Sequence, residues 1–564
     1  MKLFFNPNLK NFSQEKDYEN NQIIRRLFLV VFFMTAIGLL IFSKIIEIAM
    51  LYEKELVNSS KTKTENNNLF RGVIKDRNGK ILASNIFKYK LKAYPRLIND
   101  PVLTSEILTQ QIPNLDKRRI YNQVSNKSKF EVVILRNITA KKAKYLNSLG
   151  IPGLEFFPSI KRFYPQENLT SHIIGHTNKS LIGVNGIEKT FEKKLSSGED
   201  ITLSIDIRVQ HAIREELVKD FLAFNAKTAT AILADLETNE ILSMISLPDF
   251  NPNLSINPSI YSYRNTATLN LYEMGSTFKI FSLAAGFEFG DVHLNSNFDV
   301  SKPLTISRFT IKDYHPQNRV LNTKEVFLKS SNKGASLIAL KLGGNNLKNF
   351  YSKLGLLDYS SIDIKEKAKP KYPLKWGKIE TANLSFGYGI SITPIHLVEA
   401  TSLIFGNFKF ENVNLELKAK KRKDKNNFIS FTTREKLLYL MEQNVLYGTG
   451  KNAFVKGYGI GGKTATAEKV NKNLGGYDKT KLVSSFLSIF PINKPKYICL
   501  VLFDEPLLKN TVGYNDGATG GKTAAKTTAK IIKRIAPLLG IEKENTYEDL
   551  LVKKGRKGIN FASF

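Results

Sequence analysis

The stretch Tyr272–Phe287, YEMGSTFKIFSLAAGF, constrains this chain more than any other. Ser276 and Lys279 stand three residues apart at the head of a strongly apolar run. A helix starting near Ser276 stacks positions i and i+3 on one face, which sets the lysine amine beside the serine hydroxyl. The same helix start offers unpaired backbone N–H groups and the positive end of the helix dipole to an oxyanion. Desolvation and a second nearby cation both lower a lysine pKa, so a neutral Lys279 would take the Ser276 proton. Both residue types are common, and a helix cap followed by a solvated lysine is the competing reading. The downstream motifs decide between them.

A chain of 564 residues exceeds one ordinary domain, and its 42% hydrophobic content is that of a globular protein. The formal charge of +32 invites a nucleic-acid reading, but the lysines are dispersed along the whole chain and form no stripe. Such a basic surface favours an anionic membrane or wall polymer. The run KAKKRKDKNN at 418–427 is expected to be a solvated surface insertion. Cys499, the single cysteine, lies in the apolar run YICLVLF and reads as a buried strand residue. One cysteine excludes an internal disulfide and a cysteine-rich zinc site.

Residues 1–24 are polar and mixed in charge. From Leu27 to Phe42 every residue except Thr35 and Gly38 is strongly apolar or alanine. Extended past a snorkelling Lys44, the run reaches about 20 residues, enough for one membrane span. Arg25 and Arg26 precede it and place the N-terminus in the cytoplasm. The segment IIEIAMLYEK offers no A-x-A site, so an uncleaved signal anchor is expected. The very apolar core disfavours a twin-arginine export signal.

Beyond a polar linker, Asn78-Gly79 between apolar segments marks a hairpin turn. Residues 85–200 alternate strand-like and helix-like pieces such as VVILRN and AKKAKYLNSLG. After Asp200 a strand leads into an amphipathic helix, then TATAILADLE and EILSMISL form strands joined around Thr238-Asn239. KLVSSFLSIF and KYICLVLF, joined by PINKP, are expected as an antiparallel pair. Thr432 and Glu435 form a capping-box pattern before a helix that ends at Gly448.

Ser330-Ser331-Asn332 follows Ser276 by 54 residues, and Lys463-Thr464-Ala465-Thr466 lies 133 residues beyond Ser330. With Ser276-x-x-Lys279 they resemble, in order and spacing, the S-x-x-K, S-x-N and K-T-G motifs of the penicillin-binding protein family. RGVIKDRNG, GVNGIEKTFE, ISLPDFNPN, SFGYGISITPIHL and GTGKNAFVKGYGIGGKT resemble class B segments, so the likeness runs from about residue 70 to about residue 530. Tyr272-Glu273, Asn332 in place of an aspartate, and Glu468-Lys469 resemble the division-specific (FtsI-type) members. No Glu-Asp-x-x-Phe segment of a class A glycosyltransferase is present.

The resemblance implies an α+β protein. Its parts would be a cytoplasmic tail (1–24), a single transmembrane signal anchor (25–47), an elongated β-rich pedestal (48–198) and a transpeptidase domain (199–540), with a C-terminal tail (541–564). The last domain would hold an antiparallel sheet flanked by helices, as in serine β-lactamases. The implied activity is a D,D-transpeptidase that cross-links peptidoglycan stem peptides on lipid-linked precursor strands and is acylated by β-lactams. Ser276 would be the nucleophile, Lys279 the general base and Ser330 a proton relay, while Asn332 would bind the substrate's peptide portion. Lys463, Thr464 and Thr466 would hold the terminal carboxylate, with Ala465 in the same substrate-binding strand. The backbone N–H groups of Ser276 and Thr466 would form the oxyanion hole. No metal or cofactor is implied. The implied partners are a membrane glycosyltransferase and other division proteins, with no nucleic acid. The implied location is the bacterial inner membrane, the catalytic domain facing the periplasm. An elongation-type class B enzyme is the alternative.

Three departures from the family stand out: Met274 for proline, Ala465 for glycine, and a final Gly520–Lys526 segment without its proline. The second is expected to slow acylation by β-lactams with bulky side chains more than by small ones. Three other readings compete with this one. Gly457–Thr464 satisfies the P-loop pattern G-x-x-x-x-G-K-[ST], but ATAEKVNKNLGG reads as a strand and not as the helix a phosphate loop needs. The tetrad STFK also occurs in class D β-lactamases, which are much shorter. A non-catalytic division scaffold would not need three intact motifs.

Overall fold

The computed structural model describes residues 31–45, 70–254, 261–406, 414–417, 428–470, 475–508 and 517–543. Within the segment expected to span the membrane, residues 31–45 are helical and almost entirely exposed. The rest of that segment, the 1–24 tail, the run 418–427 and most of the 541–564 tail lie outside the described residues. Among the described residues no helix is long and apolar enough to cross a membrane. From Phe70 onward the chain forms one separate unit.

That unit begins with a mixed sheet. β1 (Ile74–Lys75) turns back into the long β2 (Ile81–Ala93) at the expected Asn78-Gly79 hairpin. Asp76 fixes this turn: one carboxylate oxygen accepts the N–H groups of Asn78 and Lys80 at 2.8 Å each, and the other accepts that of Ile207 at 3.2 Å. β2 pairs with β3 (Val132–Ile138) and β4 (Leu154–Phe163), and β5 (Ile201–Thr202) runs parallel to β1. Helices Pro101–Gln111 and Lys117–Ser125 start on aspartate caps, Asp100 and Asp116. Leu91, Leu108, Ile120 and Val124, with Ala143 from the helix Ala140–Ser148, form the core between the helices and the sheet.

A buried ion cluster ties the root of this part together. Glu188, fully buried, accepts from Arg71 Nε at 2.5 Å and from Arg162 Nε at 2.7 Å, and Arg71 also reaches Glu192 at 2.8 Å. Removing one partner would leave a buried charge unpaired, a loss of about 3–5 kcal/mol. RGVIKDRNG and GVNGIEKTFE are thus the two sequence ends of one electrostatic joint.

The larger sheet has the order β12-β13-β14-β6-β7, every neighbour antiparallel. Its strands are β6 (Thr228–Asp235), β7 (Ile241–Leu247), β12 (Gly461–Val470), β13 (Tyr477–Phe490) and β14 (Tyr497–Asp504). Four short strands, β8 (Asn297–Asp299) paired with β11 (Val320–Asn322) and β9 (Leu304–Ile306) with β10 (Phe309–Ile311), lie in the intervening region. β6 and β14 are buried along their whole length, which explains the apolar runs AILA and YICLVLF within them. Helices Ile207–Ala223 and Ala524–Ile535 cover one face, in a core with Phe486, Phe490 and the fully buried Cys499. Helices Lys279–Phe289, Asn332–Leu342, Pro394–Phe405 and Phe431–Tyr447 build the opposite core with Val483, Leu487 and Leu500.

One expected cap is displaced. The last of these helices starts at Phe431 and is capped by Ser430, whose hydroxyl oxygen accepts the Thr433 N–H at 3.2 Å; Thr432 is not its cap. Ser430 wins because Glu288 holds it from another helix, accepting its N–H at 3.0 Å and its hydroxyl at 2.9 Å. The helix does end at Gly448.

Candidate active site

Ser276 lies in a 3-10 turn, Gly275–Phe278, that runs directly into the Lys279–Phe289 helix. Two glycines make this corner possible. Gly275 has φ +50°, a conformation glycine adopts without penalty. Gly387 has φ +81°, and a Cβ there would sit 2.3 Å from the Gly275 carbonyl oxygen. In the helix that follows, every residue from Lys279 to Gly286 is buried, and Lys279, at its first position, is fully so.

Four oxygens surround the Lys279 amine: Ser276 Oγ at 2.9 Å, Ser330 O at 2.7 Å, Ser330 Oγ at 3.1 Å and Asn332 Oδ1 at 2.8 Å. The Ser330 hydroxyl is 2.9 Å from Ser276 Oγ and accepts from Lys463 Nζ at 2.9 Å. The three sequence motifs therefore meet through one serine. Ser330 itself is held at φ +57°, a strained conformation for a non-glycine residue and one that clusters at functional sites.

Lys463 stands on β12, the edge strand, and is fully buried with its amine 5.6 Å from the Phe327 ring centroid. On that strand the backbone groups of alternate residues face away from β13. Gly462 O accepts from Asn444 Nδ2 at 2.8 Å, and Glu468 N–H donates to the Tyr388 hydroxyl at 3.1 Å. The two-residue period puts Thr464 and Thr466 on the same free edge. The Thr466 carbonyl oxygen lies 3.3 Å from where a Gly275 Cβ would stand, so this edge faces the Ser276 turn.

The side chains of the third motif divide between the two faces. Thr464 Oγ1 is 2.6 Å from Thr449 Oγ1, and Thr466 Oγ1 accepts the Gly520 N–H at 3.0 Å. Ala465 shares the face of Lys463 and Ala467, opposite Ser485 in register, and is 3% exposed. Its methyl group is buried.

Electrostatics follow from burial. Desolvation holds the Lys279 amine well below its ordinary value, and the positive charge of Lys463 lowers it further. Desolvation alone brings Lys463 down to about 7. Among the described residues no carboxylate hydrogen-bonds either amine. Such a pair favours one neutral and one charged lysine, which are the states of a base and of an anion holder.

Residues 229–533 match the model of the penicillin-binding protein transpeptidase domain, and residues 68–215 match that of the penicillin-binding protein dimerisation domain. The chain is 34% identical to the probable peptidoglycan D,D-transpeptidase FtsI of Caulobacter vibrioides, over 84% of this chain and 82% of the relative. The chain belongs to the class B penicillin-binding proteins of FtsI type. It is also 28% identical to the peptidoglycan D,D-transpeptidase FtsI of Escherichia coli K12, over 77% of this chain and 79% of the relative. Stage V sporulation protein D of Bacillus subtilis is 29% identical over 93% of this chain and 87% of its own length.

In this penicillin-binding protein Ser276, Lys279, Ser330, Asn332 and Lys463 form one hydrogen-bonded cluster, with Thr464 and Thr466 on the strand edge beside it. The P-loop reading of Gly457–Thr464 fails, because Lys463 and Thr464 lie inside β12, which runs on as a strand to Val470 where a phosphate loop needs a helix. Phe327, whose ring lies 5.6 Å from the Lys463 amine, carried no motif signal. Gly387 and Tyr388 do lie in SFGYG, and Thr449 in GTGKNAF, segments that marked the family without marking a role.

Proposed function

We propose that this D,D-transpeptidase forms its acyl-enzyme on Ser276, with the other motif residues in the following roles. The observation that carries the reading is the Lys279 amine, which touches Ser276, Ser330 and Asn332 at once. Lys279, neutral, accepts the Ser276 proton as Oγ attacks the carbonyl carbon between the two terminal D-alanines of a stem peptide. The oxyanion is taken by the N–H groups of Ser276, in the first turn of its helix, and of Thr466, on the free strand edge. The proton on Lys279 passes through the Ser330 hydroxyl to the leaving nitrogen, and the C–N bond breaks to leave an ester and free D-alanine. Lys463 holds the terminal carboxylate beside Thr464 and Thr466. An amine of a neighbouring stem peptide then attacks the ester, and the same proton path runs in reverse. A β-lactam follows the first half of this course with its ring amide as the scissile bond.

The cellular setting is proposed on the sequence. The apolar run after Arg25-Arg26 supports a single-pass anchor with a cytoplasmic N-terminus and a periplasmic catalytic domain. Tyr272-Glu273, Asn332 and Glu468-Lys469, together with relatives named FtsI, support action at the division septum beside a membrane glycosyltransferase and other division proteins.

Full-length protein in detergent, given donor strands with pentapeptide stems, should release D-alanine and form cross-linked dimers. Ser276→Ala should do neither; cross-linking that persists in that variant would overturn the assignment. Depletion in cells should give filaments with undivided septa, and rounded cells would move the enzyme to the elongation role.

A further inference from the structure

Asp313 belongs to none of the three motifs, yet the second motif is fastened to it. It follows β10 and is 8% exposed. Its Oδ2 accepts the Ser331 hydroxyl at 2.8 Å, and its Oδ1 accepts the Lys333 backbone N–H at 3.0 Å. Between those two, Asn332 donates Nδ2 to the Lys312 carbonyl at 3.3 Å. Three bonds thus stitch residues 312–313 to residues 331–333, beside a Ser330 held at φ +57°.

The turn so held presents two acceptors to Lys279, the Ser330 carbonyl and the Asn332 amide oxygen. A neutral amine has two N–H bonds and one lone pair. With both N–H bonds committed to carbonyl-type acceptors, the lone pair is left for the Ser276 hydroxyl. The charged groups acting on Lys279 are Lys463, which opposes its protonation, and Asp313, which favours it. The neighbouring Lys333 is turned away, its amine on the carbonyls of Val300 and Lys302.

We propose that Asp313 is a positioning residue for acylation: its buried carboxylate clamps the Ser330–Asn332 turn against Lys279 and supplies a negative charge that acts on Lys279. This rests on Lys279 being the general base.

Asp313→Asn separates charge from clamp. The amide oxygen can still accept the Lys333 N–H, while Nδ2 donates to Ser331 Oγ in place of the reversed bond. The measurement is the second-order rate of acylation by a penicillin against pH, on full-length protein in detergent. The acid limb reports the pKa of the base in the free enzyme. Removing a negative charge disfavours protonated Lys279, so the limb should move to lower pH, on the order of one unit. A limb that stays in place or moves to higher pH overturns the proposal. Ser331→Ala removes one clamp bond, together with the cap its hydroxyl oxygen gives the Gly334 N–H at 3.0 Å, and keeps the charge; its plateau should fall severalfold with the limb unmoved, and an unchanged plateau also overturns the proposal, whether or not Asp313→Asn folds. If the wild type shows no acid limb, or Lys279→Ala retains it, the general-base reading fails instead.

Discussion

Asn332 Oδ1 and Lys279 Nζ meet at 2.8 Å, and that contact helps to decide which way the lysine lone pair points. The amide of Asn332 is oriented by its own Nδ2, which donates to the Lys312 carbonyl at 3.3 Å, so the oxygen must face the amine. An acceptor without charge holds Lys279 in place and leaves it free to be neutral.

Asn332→Asp tests this directly. A carboxylate at 2.8 Å from the amine favours its charged form and raises its pKa by about 1–3 units. The acid limb of the acylation rate should therefore move to higher pH by about that amount, and the rate at pH 7 should fall. Stopped-flow acylation from pH 5 to 9 reads the shift.

Lys463 sets the opposite limb. Burial brings its amine to about 7, and holding a carboxylate requires the charged form. The rate should decline as pH rises through that value. In Lys463→Arg the charge no longer titrates below pH ~12, so the alkaline limb should vanish even though the larger guanidinium lowers the plateau.

Glu273, three residues before the nucleophile, links the pH scale to stability. Burial raises its carboxyl from 4.5 to about 7, while Oε1 accepts from Gly389 N–H at 2.8 Å and the Tyr477 hydroxyl at 3.2 Å. Among the described residues its other oxygen is buried without a hydrogen-bond partner. A raised folded-state pKa gives stability that is full below 4.5 and lost as pH rises through about 7. Glu273→Gln keeps the accepting oxygen and cannot ionise. Its Tm should exceed that of the wild type by a margin that opens between pH 4.5 and 7 and stays constant above. A margin that closes with rising pH would contradict the sign.

Ala465 is the departure that the sequence singled out for a drug-size effect, and its burial argues against one. Ala465 is 3% exposed, on the same face of β12 as Lys463 and Ala467, and so has little open surface to present to a ligand side chain. Ala465→Gly should change acylation by a small penicillin and by a bulky cephalosporin by the same factor. A larger gain for the bulky drug would revive the size effect.

The parts of this protein that the sequence made legible are those where one residue type at a fixed spacing carries the chemistry. Ser276 and Lys279 lie one helical turn apart, and Lys463 lies in a run whose strand period is plain. The antiparallel pair KLVSSFLSIF and KYICLVLF was legible because apolar residues buried on both faces leave no other home. What the sequence hid depends on contacts across large separations. Asp313 looks like any loop aspartate until Ser331 and Lys333 are brought to it. Thr432 looked like a cap because local pattern favoured it, and a glutamate 142 residues away moved the cap to Ser430. Gly387 carries a positive φ that matters only because Gly275 lies against it.

The most direct test of the account is where a β-lactam binds covalently. Full-length protein incubated with penicillin and analysed by intact-mass and peptide mass spectrometry should carry one adduct, on the peptide containing Ser276, and Ser276→Ala should carry none. An adduct mapping to any other residue, or one that survives in Ser276→Ala, would contradict it.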